Sequence, residues 1–554
     1  MRYIVLVCLT AATSLAQPIT ETQKLTSLCK VWGFLKYYHP SVASGRQDWD
    51  QRLVQLLPVV HQVQDKQQLN AIYVQLLDSL GTVRRCRTCQ QEASPPTLGR
   101  QNLDMSFLSD SLLFTEDVRS RLTYLKNNRH LGDNYYVEQN KWIKNTSFEH
   151  EKNYADMVLP DEPYRLLALF RYWNIIQYFF PYKYAIDGNW AAVLSGMIPV
   201  FQRANTPETY QKALYQLVAS IKDSHGFLTS TDKTRCLRCD LGTLWLPFEF
   251  TLINDKAVVT QVFNDSLINS LALTVGTVIN AIDGQPIRAH IDRLRPYVSA
   301  SNEAALQRDV KKFIGIGANR EAKLTIERSG KDTTIVVSRY PYKGLGKRVS
   351  RSLNSRNPIS KWLSDSIGYV NMGHLTQRQT DSVMKPLMTA RTIIFDLRNY
   401  PQGTLLLVGW YLTDKRSTFA QFTRPNLSFP GVFEQMGSST LPPAKGKPYA
   451  GNVIVLVNED TQSQAEFTAM AFRTLDRVTL IGSTTAGADG NISWVPLPGG
   501  FRTAFSGIGV FYPDGRETQR IGIVPDVLVQ PTIDGIRAGR DEVLERAVEV
   551  GRGN

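Results

Sequence analysis

The stretch VIVLVNEDTQSQAE, Val453 to Glu466, runs five apolar residues into a polar turn beginning at Asn458 and places Ser463 at the opening of a helical pattern. Val453 to Val457 reads as a buried parallel strand, and Ala465, Phe467, Ala469, Met470, Ala471 and Phe472 read as a helix packed back on it. A serine placed there faces unpaired backbone N–H groups and the positive end of a helix dipole, which favour an oxyanion beside the hydroxyl. A serine that merely caps the helix satisfies the same pattern. The segment alone fits both readings.

Four further motifs flank it in order. Ile367-Gly-Tyr-Val and TIIFDLRNYPQG, Thr392 to Gly403, come before; GSTTAGADG, Gly482 to Gly490, and GIVPD, Gly522 to Asp526, come after. In this order, with S-x-A-E at Ser463, they resemble the tail-specific, or carboxy-terminal processing, serine peptidases. The resemblance implies an α/β layered, crotonase-like catalytic core over residues 346–554, with Ser463 as nucleophile. It also implies oxyanion donors at the backbone N–H groups of Gln464 and Gly403, although Tyr400 and Pro401 interrupt the usual glycine-rich turn. One branch of the family uses a lysine base at the position held here by Ala488. No lysine occurs between Ser463 and Asn554, so a different base is required.

Histidine titrates nearest neutral pH, and the chain has seven. His225 lies in IKDSHGFL, after a helical pattern and before a polar turn. A surface or capping histidine is the plain reading of that position. By similarity to the tricorn-core branch, whose base lies in a Ser-His pair, His225 is expected to deprotonate Ser463, with Ser224 in the supporting network. That branch places a glutamate just before its G-[IV]-x-P-D motif; here GRETQRIGIVPD offers Glu517 and Gln519. A carboxylate would orient a protonated histidine electrostatically, whereas Gln519, the closer by spacing, could only hydrogen bond.

The 554 residues, 43% hydrophobic, can bury several cores and suggest about three or four domains. Residues 1–16, MRYIVLVCLTAATSLA, read as an export signal, and no other apolar run has the length of a membrane span. A periplasmic or extracellular location is therefore expected. The net charge of +13 is scattered, without the basic stripe or module that nucleic-acid binding requires. SLCK, Ser27 to Lys30, spells S-x-x-K but lacks its companion motifs.

An internal repeat organises the N-terminal half. CKVWGFLKYYHP, Cys29 to Pro40, resembles FRYWNIIQYFFP, Phe170 to Pro181, and an offset of 141 also relates Trp49 to Trp190, Pro58 to Pro199 and Ser79 to Ser220. Duplicated helical units are expected over 17–90 and 161–240, joined by a weakly patterned connection, 91–160. Their aromatic residues read as core. Each copy ends in C-x-x-C, Cys86 and Cys89, then Cys236 and Cys239. These four fit a structural zinc site or a pair of disulfides equally.

Residues 241–345 change to short strands, and GTVINAIDGQPI resembles a PDZ segment, a fold that binds chain ends by strand addition. LPFEF, with Leu246 and Phe248, would be its carboxylate-binding entrance; a small β-domain that binds nothing has the same pattern. The expectation is thus a multidomain α/β protein: an exported serine endopeptidase that captures polypeptides by a chain end, without a catalytic cofactor and with oligomerisation left open. The alternative is a catalytically inactive peptide- or apolar-ligand-binding protein on the same fold.

Overall fold

The computed structural model describes residues 18–90, 97–99, 102–263, 273–345 and 358–553. The expected export signal, 1–16, lies outside them. Among the described residues no helix is long and apolar enough to cross a membrane. The chain divides into two compact units, Met1–Glu92 with Asp104–Tyr135, and Ala93–Leu103 with Tyr136–Asn554. The expected connection is therefore shared between them: helix Glu116–Asn127 buries Val118, Leu122 and Leu125 in the first, and the hairpin strands Glu138–Gln139 and Thr146–Ser147 belong to the second.

The duplication is visible in hydrogen bonds. In the first unit, helices Glu21–Tyr38 and Trp49–Gln62 are locked by reciprocal indole bonds: Trp32 Nε1 donates to Trp49 O at 2.9 Å and Trp49 Nε1 to Trp32 O at 3.0 Å. In the second unit, helices Glu162–Phe179 and Trp190–Gln202 repeat the device between Trp173 and Trp190, at 2.9 and 3.1 Å. The same offset relates the capping residues Thr20, Asp48 and Asp65 to Asp161, Asn189 and Thr206, each accepting a first-turn backbone N–H. Pro58 and Pro199 lie inside equivalent helices. Each C-x-x-C closes on itself as a disulfide, Cys86–Cys89 and Cys236–Cys239. A four-thiolate zinc site would require both to be reduced.

Residues 244–341 carry an antiparallel sheet in the order Lys331–Ser338, Glu321–Arg328, Val278–Ile282, Lys256–Val262, Phe248–Ile253. Helices Ile287–Leu294 and Glu303–Val310 complete this module. Among the described residues, Phe248–Ile253 is an edge strand.

The final region builds a sheet in the order Ser360–Ser364, Ile367–Asn371, Thr392–Asp396, Asn452–Val457, Val478–Gly482, Val527–Leu528, parallel after its antiparallel first pair. Helices Thr380–Leu387, Leu405–Leu412 and Gln464–Phe472 share one buried cluster with the sheet; Val543 and Ala547 of helix Glu542–Gly553 belong to another, with Tyr369, Ile394 and Ile454. The alternating apolar strands of the sequence thus become the middle layer of three. The inner strands are apolar on both sides because both sides are covered.

Candidate active site

Strand Asn452–Val457 ends in the turn that delivers Ser463 to the start of helix Gln464–Phe472. Ser463 has φ 58° and ψ −121°, sparsely populated for a residue with a side chain. A sharp strand-to-helix elbow of this kind lifts a serine hydroxyl off the sheet edge. It is held from behind: Ser463 N donates to Ala488 O at 2.9 Å and to Glu466 Oε2 at 3.3 Å. The buried Glu466 also accepts from Thr485 Oγ1, from Gly487 N at 2.8 Å and from Ala488 N at 3.0 Å. Burial pushes the Glu466 carboxyl up, and these donors oppose the shift. The segment around Ala488, which lacks a lysine, therefore braces the elbow through its backbone.

Gly403, at φ +69°, lies beside the start of this helix: a Cβ there would come within 3.6 Å of Gln464 Nε2. Its turn follows strand Thr392–Asp396 and is anchored by Arg398, which donates to Asp396 and Asp541 at 2.7–3.0 Å. Among the described residues the N–H groups of Gly403 and Gln464 have no protein acceptor, as a pair of oxyanion donors requires.

His225 follows helix Pro207–Ala219, on a loop pinned by several hydrogen bonds. Gln462 Nε2 donates to Ser224 O at 3.3 Å, so the residue preceding Ser463 touches the residue preceding His225. Ser224 Oγ donates to Ala486 O at 3.1 Å, and Ser301 N donates to Ser224 Oγ at 2.9 Å. Among the described residues Ser463 Oγ makes no hydrogen bond to His225. Such bonds commonly tighten only around a substrate.

The group that orients His225 is one that sequence reasoning passed over. Asp223, fully buried, receives Ser506 N at 2.6 Å on Oδ2, and Ser506 Oγ at 3.1 Å and His225 N at 3.0 Å on Oδ1. His225 Nδ1 lies 2.9 Å from Ser506 Oγ. A hydroxyl has one proton, and an ionised carboxylate can only accept. Ser506 therefore gives its proton to Asp223 and accepts from Nδ1–H, which leaves Nε2 as the basic nitrogen. Burial lowers the affinity of His225 for a second proton, Asp223 opposes that shift, and Arg308 adds to it.

The remaining expected residues fall in two groups. Gln519 joins the network, its Nε2 donating to Asp223 Oδ1 at 3.3 Å, but it reaches Asp223 and not the histidine. Glu517 is engaged elsewhere, accepting from Tyr184 OH at 2.7 Å; the buried carboxylate is supplied by Asp223 instead. Ser224 ties down the loop. Leu246 and Phe248 are 5% and 4% exposed, and their side chains belong to the apolar core of the module. Asp223 is present in IKDSHGFL, as D-x-H. Ser506 carries no local motif signal.

Residues 366–529 match peptidase family S41. A carboxyl-terminal-processing protease of Synechocystis sp. is 28% identical over 197 residues, which is 33% of this chain and 44% of that protein. Its counterpart from Picosynechococcus sp. is 26% identical over 195 residues, with the same shares. The chain spans less than half the length of these curated relatives. A crystal structure of a CPAF mutant superimposes with a TM-score of 0.57 at 14% identity, covering 71% of this chain and 98% of that one, which shows a shared fold.

Proposed function

We propose, from the match of residues 366–529 to peptidase family S41 and from the geometry around Ser463, that this chain is a serine-type peptidase in which Ser463 attacks a peptide carbonyl and His225 is the base. The observation that carries this reading is the relay from His225 Nδ1 through Ser506 to Asp223, which leaves Nε2 free to take a proton. His225 takes the Ser463 proton as the Oγ–C bond forms, and the backbone N–H groups of Gln464 and Gly403 hold the oxyanion. The tetrahedral species collapses to an acyl-enzyme as His225 protonates the leaving amine. Water, deprotonated by the same nitrogen, then releases the acid.

The PDZ-like reading of the module is supported by its edge strand Phe248–Ile253, whose outer side can pair with an extended chain. Capture of a polypeptide end there and export of the protein belong to the same proposal. The binding-protein alternative draws on the missing lysine and on Gln519; the buried carboxylate of Asp223 beside His225 favours the peptidase reading over it.

A serine-reactive phosphonate probe tests the proposal. Intact mass should show one adduct on the wild type and none on Ser463→Ala, with labelling at least about a hundredfold slower in His225→Ala. A folded wild type that takes no label would refute it.

A further inference from the structure

Outward from His225, one face of a small sheet presents side chains that the proposed chemistry leaves unused. Strands Leu228–Ser230, Phe501–Ser506 and Ile492–Leu497 pair antiparallel, with Thr229 opposite Arg502, Trp494 opposite Ala504 and Pro496 opposite Arg502. Side chains alternate along a strand, so Arg502, Ala504 and Ser506 share a face. Ser506 is the partner of His225, and Phe227 follows His225 by two residues, on the same face. Phe227 is 41% exposed and meets the Trp494 ring edge-on at 5.1 Å. The Arg502 guanidinium lies over the other part of this stack, 3.9 Å from the Trp494 centroid. Among the described residues no ion pair joins Arg502 to a carboxylate.

Stacking on an indole fixes the plane of a guanidinium while leaving its edge N–H groups outward. That edge matches a carboxylate in the two-pronged manner. Residues of one face recur about every 6.7 Å along a strand, so Arg502 stands roughly two steps, about 13 Å, from the catalytic loop. An extended peptide covers this distance in about four residues, fewer when a glutamate side chain and the arginine reach toward each other.

We propose that Phe227, Trp494 and Arg502 form a substrate subsite that selects a carboxylate within about four residues of the scissile bond, with an apolar or aromatic side chain resting on Phe227 and Trp494. The subsite rests on the peptidase reading. The carboxylate could be an acidic side chain or the free end of the polypeptide; the guanidinium recognises the same group in either.

The test uses the full chain and one internally quenched peptide that the wild type cleaves, chosen from a library. Each of four positions on either side of the cleaved bond is set in turn to Glu, Gln or Lys, and each peptide is made as free acid and as amide. In the wild type at least one carboxylate should raise kcat/KM about tenfold over its uncharged twin. Arg502→Gln should collapse this ratio toward one, and Arg502→Glu should invert it in favour of Lys. A preference confined to free acids identifies the chain end, and a preference for internal Glu identifies an acidic residue; either supports the subsite. A wild type without charge preference, or a preference that survives Arg502→Gln in a variant folded by circular dichroism, overturns it. A wild type that neither takes the phosphonate nor cleaves any peptide overturns the peptidase reading, and the subsite with it.

Discussion

The two copies of the helical repeat share a scaffold and differ at the exit from its last helix. Ser79 and Ser220 correspond, and the next positions pair Gly81 with Lys222, both at positive φ, Thr82 with Asp223 and Arg84 with His225. In the first copy Thr82 and Arg84 are exposed; in the second Asp223 and His225 are buried. The reciprocal tryptophans, the caps and the internal prolines are common to both. The two copies thus share the support and differ along its exit, where only the second carries a buried carboxylate and a buried histidine, Asp223 and His225. The repeat dictates where the chain leaves the helices, and the residues at the exit dictate the chemistry.

The largest expected effect comes from exchanging the buried carboxylate for its amide. Asp223→Asn keeps the shape but no longer balances an imidazolium, and its NH2 would face the Ser506 donors. We expect kcat to fall by three to four orders of magnitude, about 4–5 kcal/mol in barrier, with KM little changed. The matching substitution in the other copy, Thr82→Asn, should leave kcat within about twofold, as surface changes usually do. Equal loss from both substitutions in steady-state assays would end the distinction between the copies.

The tryptophan pairs sharpen the comparison next. Trp32→Ala and Trp173→Ala each remove a buried indole and its hydrogen bond, and each should cost about 3–5 kcal/mol in urea unfolding. Their effects on turnover should separate. Helix Glu162–Phe179 is tied to the strand preceding Ser506's own: Arg171 Nη1 donates to Pro496 O at 2.9 Å. Trp173→Ala should therefore lower kcat per folded molecule about tenfold or more by misplacing His225. Trp32 bonds to Trp49 within the first unit, and Trp32→Ala should leave kcat per folded molecule unchanged.

A histidine distinguishes the copies by pH. His39 precedes Pro40 as Phe180 precedes Pro181, and burial lowers the His39 pKa from 6.5 to about 4. Between these values the unfolded chain binds the proton and the folded chain does not. Stability from this site is therefore complete above about pH 6.5 and is lost as pH falls toward 4, by up to about 3 kcal/mol. His39→Phe should flatten that dependence, read as the difference between urea midpoints at pH 7 and 4.5. It should cost about 1 kcal/mol at pH 7, because His39 Nδ1 accepts from Ser41 N. His225 shifts in the same direction, so the acid limb of kcat/KM should lie below the ordinary histidine range.

How much was legible in the sequence depends on the range of each interaction. The elbow of Ser463 and the disulfide-spaced cysteines are local, and the repeat is periodic, so each leaves a pattern in the chain. Asp223 is local too, but a D-x-H is legible only when one asks what orients the histidine. Ser506 lies 281 residues from His225, in the ordinary strand FRTAFS, and only pairing of that strand with Leu228–Ser230 brings them together. Glu517 and Gln519 are two residues apart, and a turn sends one to Tyr184 and the other to Asp223, a choice that spacing cannot make. Leu246 and Phe248 carry the resemblance to an entrance, and as apolar side chains at the start of a strand they also pack into the core beneath it.

The smallest expected effect isolates the exit itself. Lys222 has φ 53°, where a side chain costs about 1 kcal/mol or more, while Gly81 takes φ 83° at no steric cost. A Cβ at Gly81 would meet nothing within 4 Å, so Gly81→Lys tests backbone strain alone. It should destabilise by about 1 kcal/mol, less what the lysine removes from the disorder of the unfolded chain. Lys222→Gly should gain up to about 1 kcal/mol by relieving the strain, offset in the same way. Its effect on catalysis should have the opposite sign. Glycine loosens the backbone directly before Asp223, so kcat should fall a few-fold while the urea midpoint holds or rises. A second copy in which stability and turnover moved together at this position would mean that the turn is only a connection; moving apart, they would mark Lys222 as the point where the chain holds strain to keep His225 in place.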